Sequence, residues 1–178
     1  MYYFTADEHY NHSIAITYNN RPFSSVEEMN ETMIENHNSI VTKDDITIHA
    51  GDFGFFKSLA SAFEVVDRLN GKHIFLKGSH DHWMKRQNNS KSYFHEIWEK
   101  RIDNQMIVVC HYAMKTWHCS HYNSWNLHGH SHGHLNPEGK QYDVGVDCNQ
   151  FHPVSLEEIR IIMDGKPDNF NLIRKDNG

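Results

Sequence analysis

The sequence predicts an α/β fold in which a mixed sheet system is covered by helices on both outer faces. Three observations predict it. First, apolar runs of strand length alternate with helically periodic segments in the first half, the pattern of βαβ units with parallel strands. Second, strand runs in the second half follow one another through turn-forming residues. Third, acids and histidines gather at strand ends.

Residues 1–6 read as a buried strand that delivers Asp7. Residues 24–41 read as a helix: Ser24 stands three residues before Glu27, and Val26, Met29, Met33, Ile34 and Ile40 recur at helical spacing. Residues 45–52 form a second strand ending in Gly51-Asp52. Residues 58–72 form a helix stopped by Asn70-Gly71. Residues 73–78 form a third strand, running into Gly78-Ser79-His80-Asp81. Residues 85–92 are polar and read as a surface loop. Residues 96–102 and 105–111 flank Asp103-Asn104 and read as an antiparallel hairpin. Residues 125–129 and 140–147 are short strands with glycine-bearing loops, and 153–163 is a helix with Ser155 and Glu158 placed for a capping box.

A chain of 178 residues points to one domain spanning 1–178, large enough to bury its own core. No apolar run approaches the roughly 18 residues of a membrane span. The start Met-Tyr-Tyr-Phe-Thr-Ala-Asp-Glu has no basic segment and no cleavage pattern, so a cytoplasmic protein is expected. Three cysteines without a Cys-x-x-Cys pair argue against a disulfide framework or a thiolate zinc site. A net charge of −6 argues against a surface that grips nucleic acid throughout, while leaving room for a local groove. Against this background stand 16 histidines, four of them (His128, His130, His132, His134) within seven residues.

Asp7-x-His9 follows the first strand, Asp52 the second, and Gly78-Ser79-His80-Asp81 the third. His111 ends the hairpin, and His130-x-His132 follows 125–129. In open α/β sheets, ligands bind beyond the carboxyl ends of the strands. Two carboxylates and four imidazoles exceed the three or four protein ligands of one zinc site. They suit two divalent ions roughly 3.5–4 Å apart that share a carboxylate. Oxygen and nitrogen donors admit manganese, iron, zinc, nickel or cobalt, with manganese favoured for activity.

The ordered set Asp7-x-His9, Gly51-Asp52, Gly78-Ser79-His80-Asp81, His111 and Gly129-His130-Ser131-His132 resembles the calcineurin-like metallophosphoesterases. Residues 20–41 and 111–133 look like the small bacterial and phage members of that superfamily. The resemblance implies a four-layer α-β-β-α sandwich of two mixed sheets. It implies one metal on Asp7, His9, His132 and a bridging Asp52, and a second on Asp52, His111, His130 and residue 79. It also implies His80 as the catalytic histidine, beside the metals but not bound to them. One position departs: the family usually has asparagine where this chain has Ser79. A hydroxyl reaches less far than an amide oxygen, so a more weakly held second ion is expected.

The chemistry implied is attack by a metal-bridging hydroxide on a phosphate ester, with His80 protonating the leaving group and Asp81 steadying the His80 ring. His12 and Arg21 are candidate substrate contacts. So are Trp117 and His121, on a loop with His118 and Trp125 that could form a pocket wall. Blander readings are an ion-pair role for Arg21 and a core role for the tryptophans. His128 and His134 flank the pattern, and His37, His49, His73, His95 and His152 read as structural or solvated. Phosphodiesters are the first substrate choice and monoesters the second, with nucleotides or short nucleic acid ends as partners and no membrane partner. The rival reading is a degenerate, non-catalytic module that holds metal, a nucleotide or a partner protein. Ser79 favours the module; the retained His80 opposes it.

Overall fold

The computed structural model describes residues 1–84, 94–136 and 138–173. The polar stretch 85–92, expected as a surface loop, lies outside the described residues. In chain order the strands are β1 (Tyr2–Thr5), β2 (Ile46–His49), β3 (Lys72–Leu76), β4 (Phe94–His95), β5 (Ile97–Ile102), β6 (Gln105–Cys110), β7 (Trp125–His128), β8 (Gln141–Asp143) and β9 (Val154–Ser155). The helices are α1 (Ser13–Tyr18), α2 (Val26–Ile40), α3 (Leu59–Val66) and α4 (Leu156–Asp164).

The strands form two mixed sheets flanked by the helices, in the orders β4-β3-β2-β1-β9 and β5-β6-β7-β8. In the first sheet β1, β2, β3 and β4 run parallel, as the alternation of apolar runs and helices predicts, and β9 pairs antiparallel with β1. In the second, β5 and β6 form the predicted hairpin, with Ile102 opposite Gln105. Asp103 and Asn104 take φ of 45° and 66° at its turn, the conformation that a two-residue hairpin loop demands. β7 and β8 then add parallel to β6.

The two sheets share one apolar core. Phe4, Ile48 and Leu76 of the first sheet meet Ile107, Val109 and Leu127 of the second. Alternation along β1 sends Phe4 into that core, while the Tyr3 hydroxyl donates to the Ile40 carbonyl at the end of α2. A second cluster joins Met29, Met33 and Ile34 of α2 and Ala62 and Val65 of α3 to Phe53, Phe75 and Trp83. α4 buries Leu156, Ile159 and Met163 in the inter-sheet core.

Several boundaries differ from the sequence reading. α2 is capped one residue later: Ser25 accepts from the Glu28 amide at 3.1 Å, and the Glu28 carboxylate accepts from the Ser24 amide at 2.7 Å. α3 stops at Val66 because the amides of Arg68 and Leu69 turn back to the carbonyls of Val65 and Val66, three residues behind. Gly71, at φ 104°, still ends the connection to β3. The capping box of α4 forms as predicted, with Ser155 accepting from the Glu158 amide and Glu158 accepting from the Ser155 amide. α1, β4 and β9 are not anticipated by the sequence reading.

Candidate metal centre

The parallel run of β1, β2 and β3, and of β6 and β7, brings their carboxyl ends to one rim. Asp7 and His9 leave β1, Asp52 leaves β2, Ser79 and His80 leave β3, His111 leaves β6, and His130 and His132 leave β7. Backbone bonds lash these turns together: Asp7 N–H donates to Gly51 O and His9 N–H to Asp52 O, each at 3.0 Å, and Gly129 N–H to His111 O at 3.1 Å. Asp7, His9, Asp52, His130 and His132 all take left-handed backbone, with φ of 57°, 54°, 56°, 67° and 45°. Such conformations cost energy for non-glycine residues, survive only where surroundings enforce them, and cluster at functional sites. Gly51, at φ 98°, lets the His111 ring approach; a Cβ there would lie 2.6 Å from His111 Nδ1.

Two groups of donors result. Asp7, His9 and His132 offer ligand atoms within 4.8 Å of one another, and so do Asp52, His111 and His130. Asp52 lies between the groups: its Oδ2 is 3.3 Å from His111 Nε2 and 3.9 Å from His9 Nε2. His111 Nδ1–H donates to the Ala50 carbonyl at 3.0 Å. Its other ring nitrogen, Nε2, is buried and faces the Asp52 Oδ2 oxygen. Among the described residues, His111 Nε2 and Asp7 Oδ1 are both buried and have no hydrogen-bond partner. Orphaned acceptors at such a cost are what a cation would satisfy.

Electrostatics agree. Burial, reinforced by Arg21, His132 and His12 against the pull of Asp52, pushes the His9 pKa down to about 3, so the ring is neutral and its lone pairs are available. Burial and the neighbouring His111 also lower His130. Burial, with Asp143 and Asp52 nearby, raises Asp7 well above the usual carboxylate range. Burial works to raise Asp52 as well, but His111, the His80 amide and His9 outweigh it and hold Asp52 low. Repelling carboxylates beside a neutral His9 fit divalent cations, and these donors suit oxygen- and nitrogen-seeking metals.

His132 Nδ1 is 2.7 Å from Asp147 Oδ2, which leaves Nε2 for an ion. Although burial opposes it, hydrogen bonds from His132 and Arg21 hold Asp147 below the ordinary carboxylate range. Asp143 shapes the loop between His130 and His132 by accepting from Ser131 Oγ at 2.6 Å and from Gly133 N–H at 3.0 Å. Asp143 and Asp147 are absent from the sequence reading, although the strand-end rule applied to β8 finds Asp143. The aromatic rim is absent too: Phe55 stacks on His12 at 3.8 Å, and Tyr112 stands 4.7 Å from His130.

No family model matches the chain. The uncharacterized protein MJ1445 of Methanocaldococcus jannaschii is 34% identical over 173 residues, covering 92% of each chain. The chain belongs to the family of MJ1445. A crystal structure of the Aquifex aeolicus protein of unknown function AQ665 superposes with a TM-score of 0.69 at 22% identity, over 91% of this chain and 98% of that one. That likeness shows the fold alone. A conserved uncharacterized protein of Streptococcus pneumoniae, described as a predicted phosphoesterase, gives a TM-score of 0.41 at 15% identity, over 81% of this chain and 70% of that one. A likeness so remote carries no argument.

In this member of the MJ1445 family the remaining expected site residues divide. Ser79 Oγ donates to Asp52 Oδ2 at 3.0 Å, beside the second donor group. His80 is exposed; its amide donates to Asp52 Oδ1 at 2.7 Å, and its ring lies 5.5 Å from that of His9 and 5.8 Å from that of His12. Asp81 does not hold the His80 ring. Its carboxylate accepts from the amides of Gly78, Asp52 and Phe53 and from the Trp83 indole, so it ties the β2 and β3 turns together. Arg21 is fully engaged within the fold. Its guanidinium donates twice to Asp147 and to the Asp7 and Glu8 carbonyls, with a further contact to Met29 Sδ, which occupies all five donors. Trp125 is buried core, Trp117 donates to the Ser124 carbonyl, and the His121 ring lies tilted against Tyr122 at 4.2 Å. Among the described residues no contact brings Trp117 or His121 to the donor groups.

Proposed function

We propose that the chain is a two-metal phosphohydrolase that cleaves phosphate esters, phosphodiesters ahead of monoesters. The observation that carries the reading is the pair of donor groups meeting at Asp52, with Asp7 Oδ1 and His111 Nε2 buried and unpartnered between them. The ordered motifs shared with the calcineurin-like metallophosphoesterases support it. Asp7, His9, His132 and Asp52 would hold one ion; Asp52, His111 and His130, with Ser79 beside them, the other. Divalent ions bound there, manganese above all, supply water activation at neutral pH and a Lewis acid for the phosphate.

The chain's own residues do the rest. His80, exposed at the rim and anchored through its amide, would protonate the departing oxygen, a role worth typically 10²–10⁴-fold. His12, stacked on Phe55 and 5.8 Å from the His80 ring, flanks the same opening. Asp81 and Arg21 fix the turns from behind, which keeps the donors preorganised. The shorter reach of Ser79 would leave the second ion more weakly held than where asparagine stands at this position.

The test is hydrolysis of bis-p-nitrophenyl phosphate and p-nitrophenyl phosphate with added manganese and with chelator. Turnover of both, faster on the diester and abolished by chelator, is expected. Metal bound without turnover on either substrate would replace the enzyme by a non-catalytic binding module.

A further inference from the structure

Beside the metal donors the chain builds a cleft of about 330 Å³ that the hydrolytic chemistry does not use. Its walls include Tyr18, Asn19, Asn20, His134 and Phe151, together with His132 of the first donor group. The cleft is therefore continuous with the first donor group. Its volume lies at the lower end of the range for small-molecule sites.

The lining has a definite chemistry. Arg21 and Asp147 also border the cleft, but they neutralise each other, and every Arg21 donor is engaged. The cleft therefore presents no free guanidinium to a second phosphate. What it does present is aromatic faces and amides. Tyr18 is 84% exposed. The Phe151 ring is fixed from behind by Phe23, edge-on at 4.8 Å, and by the Arg21 guanidinium at 5.8 Å. Gln150 and Phe151 sit at φ of 53° and 61°, a costly conformation for bulky side chains, and the Asn36 amide clamps the Phe151 carbonyl at 3.1 Å. Among the described residues the Asn19 and Asn20 side chains make no hydrogen bond, so each keeps a donor and an acceptor for a partner.

A neutral, planar group with hydrogen-bonding edges fits that lining: its faces can stack on the rings and its edge can meet the amides. We propose that this cleft binds the nucleoside portion of a nucleotide phosphate ester whose phosphate lies at the metal donors. Resting on the phosphohydrolase reading, the proposal names its substrate class as nucleotide esters. It also gives a role to the exposed Tyr-Asn-Asn run that precedes Arg21.

Calorimetric binding of AMP, UMP and methyl phosphate to the manganese-loaded protein tests it, alongside hydrolysis of bis-p-nitrophenyl phosphate. At least one nucleotide is expected to bind about tenfold or more tighter than methyl phosphate, since stacking on one aromatic residue is worth that much. Tyr18→Ala, at a position too exposed to unfold the chain, should erase most of that advantage and leave methyl phosphate binding unchanged. If the bis-ester is hydrolysed and methyl phosphate binds, but neither nucleotide binds tighter or Tyr18→Ala changes nothing, the cleft proposal falls alone. If hydrolysis and methyl phosphate binding are both absent, the metal reading falls and the cleft proposal with it.

Discussion

Asp147 sits between Arg21 and His132, and all three side chains are oriented by one another. A carboxylate behind a ligand histidine fixes its tautomer and raises its basicity, and losing such a partner typically costs 10–100-fold in metal affinity. If the chain holds two manganese ions as proposed, Asp147→Asn is expected to weaken one site by about that factor in a titration, with the other unchanged. His80 offers the contrasting case. His80→Ala should retain full metal stoichiometry yet lose about 10²–10⁴-fold in turnover on alkyl esters and far less on p-nitrophenyl esters. Equal losses on both leaving groups would exclude an acid role.

At the scale of single elements, α4 depends on its cap. Ser155 and Glu158 exchange hydrogen bonds at 3.2 and 2.8 Å, and the helix carries Leu156, Ile159 and Met163 into the inter-sheet core. Ser155→Ala should lower stability by about 1 kcal/mol, read as a lower urea midpoint at unchanged m-value. This cap was legible in sequence because a capping box is local: two side chains three residues apart. The βαβ alternation, the hairpin at Asp103-Asn104 and the strand-end donors were legible for the same reason. α1 escaped notice because its six residues bury Ala15 alone and show no apolar stripe. β4 and β9, of two residues each, are too short to carry a period. The roles of Arg21 and Asp81 were hidden differently. Arg21 is assigned by Asp147, 126 residues away, and Asp81 by backbone amides that only the folded turns present. An ion pair or an amide acceptor leaves no trace in the neighbouring sequence.

At the scale of the whole molecule, a buried polar seam runs behind the donors. His49 lies 2.6 Å from Glu8 and 3.0 Å from His73, and His37 lies 2.9 Å from the Asn70 carbonyl. Burial lowers His37 to about 4 and His73 to about 3. Below pH ~6.5 the unfolded chain binds protons that these folded rings refuse, so stability falls as pH falls from ~6.5 towards 4. Each ring contributes a slope of up to about 1.4 kcal/mol per pH unit. Glu8, raised to about 8 by burial, works in the opposite sense above pH ~4.5 and offsets His49, itself lowered to about 3. Within this seam His37 and His73 therefore set the slope, and His9, lowered to about 3, adds to it. Urea midpoints of the chelated protein at pH 7, 6 and 5 should decline in step, and His73→Gln should flatten the decline. A pH-independent midpoint would contradict it.

The sharing of donors between the sheets has one more consequence. One group draws Asp7 and His9 from the first sheet and His132 from the second; the other draws Asp52 from the first and His111 and His130 from the second. Cations seated there would act as rivets through both plates of the sandwich. Any sliding of one plate over the other would prise both rivets at once, so removing the cations should quicken amide exchange along β1 and β7 together, well inside the protein and away from its rim.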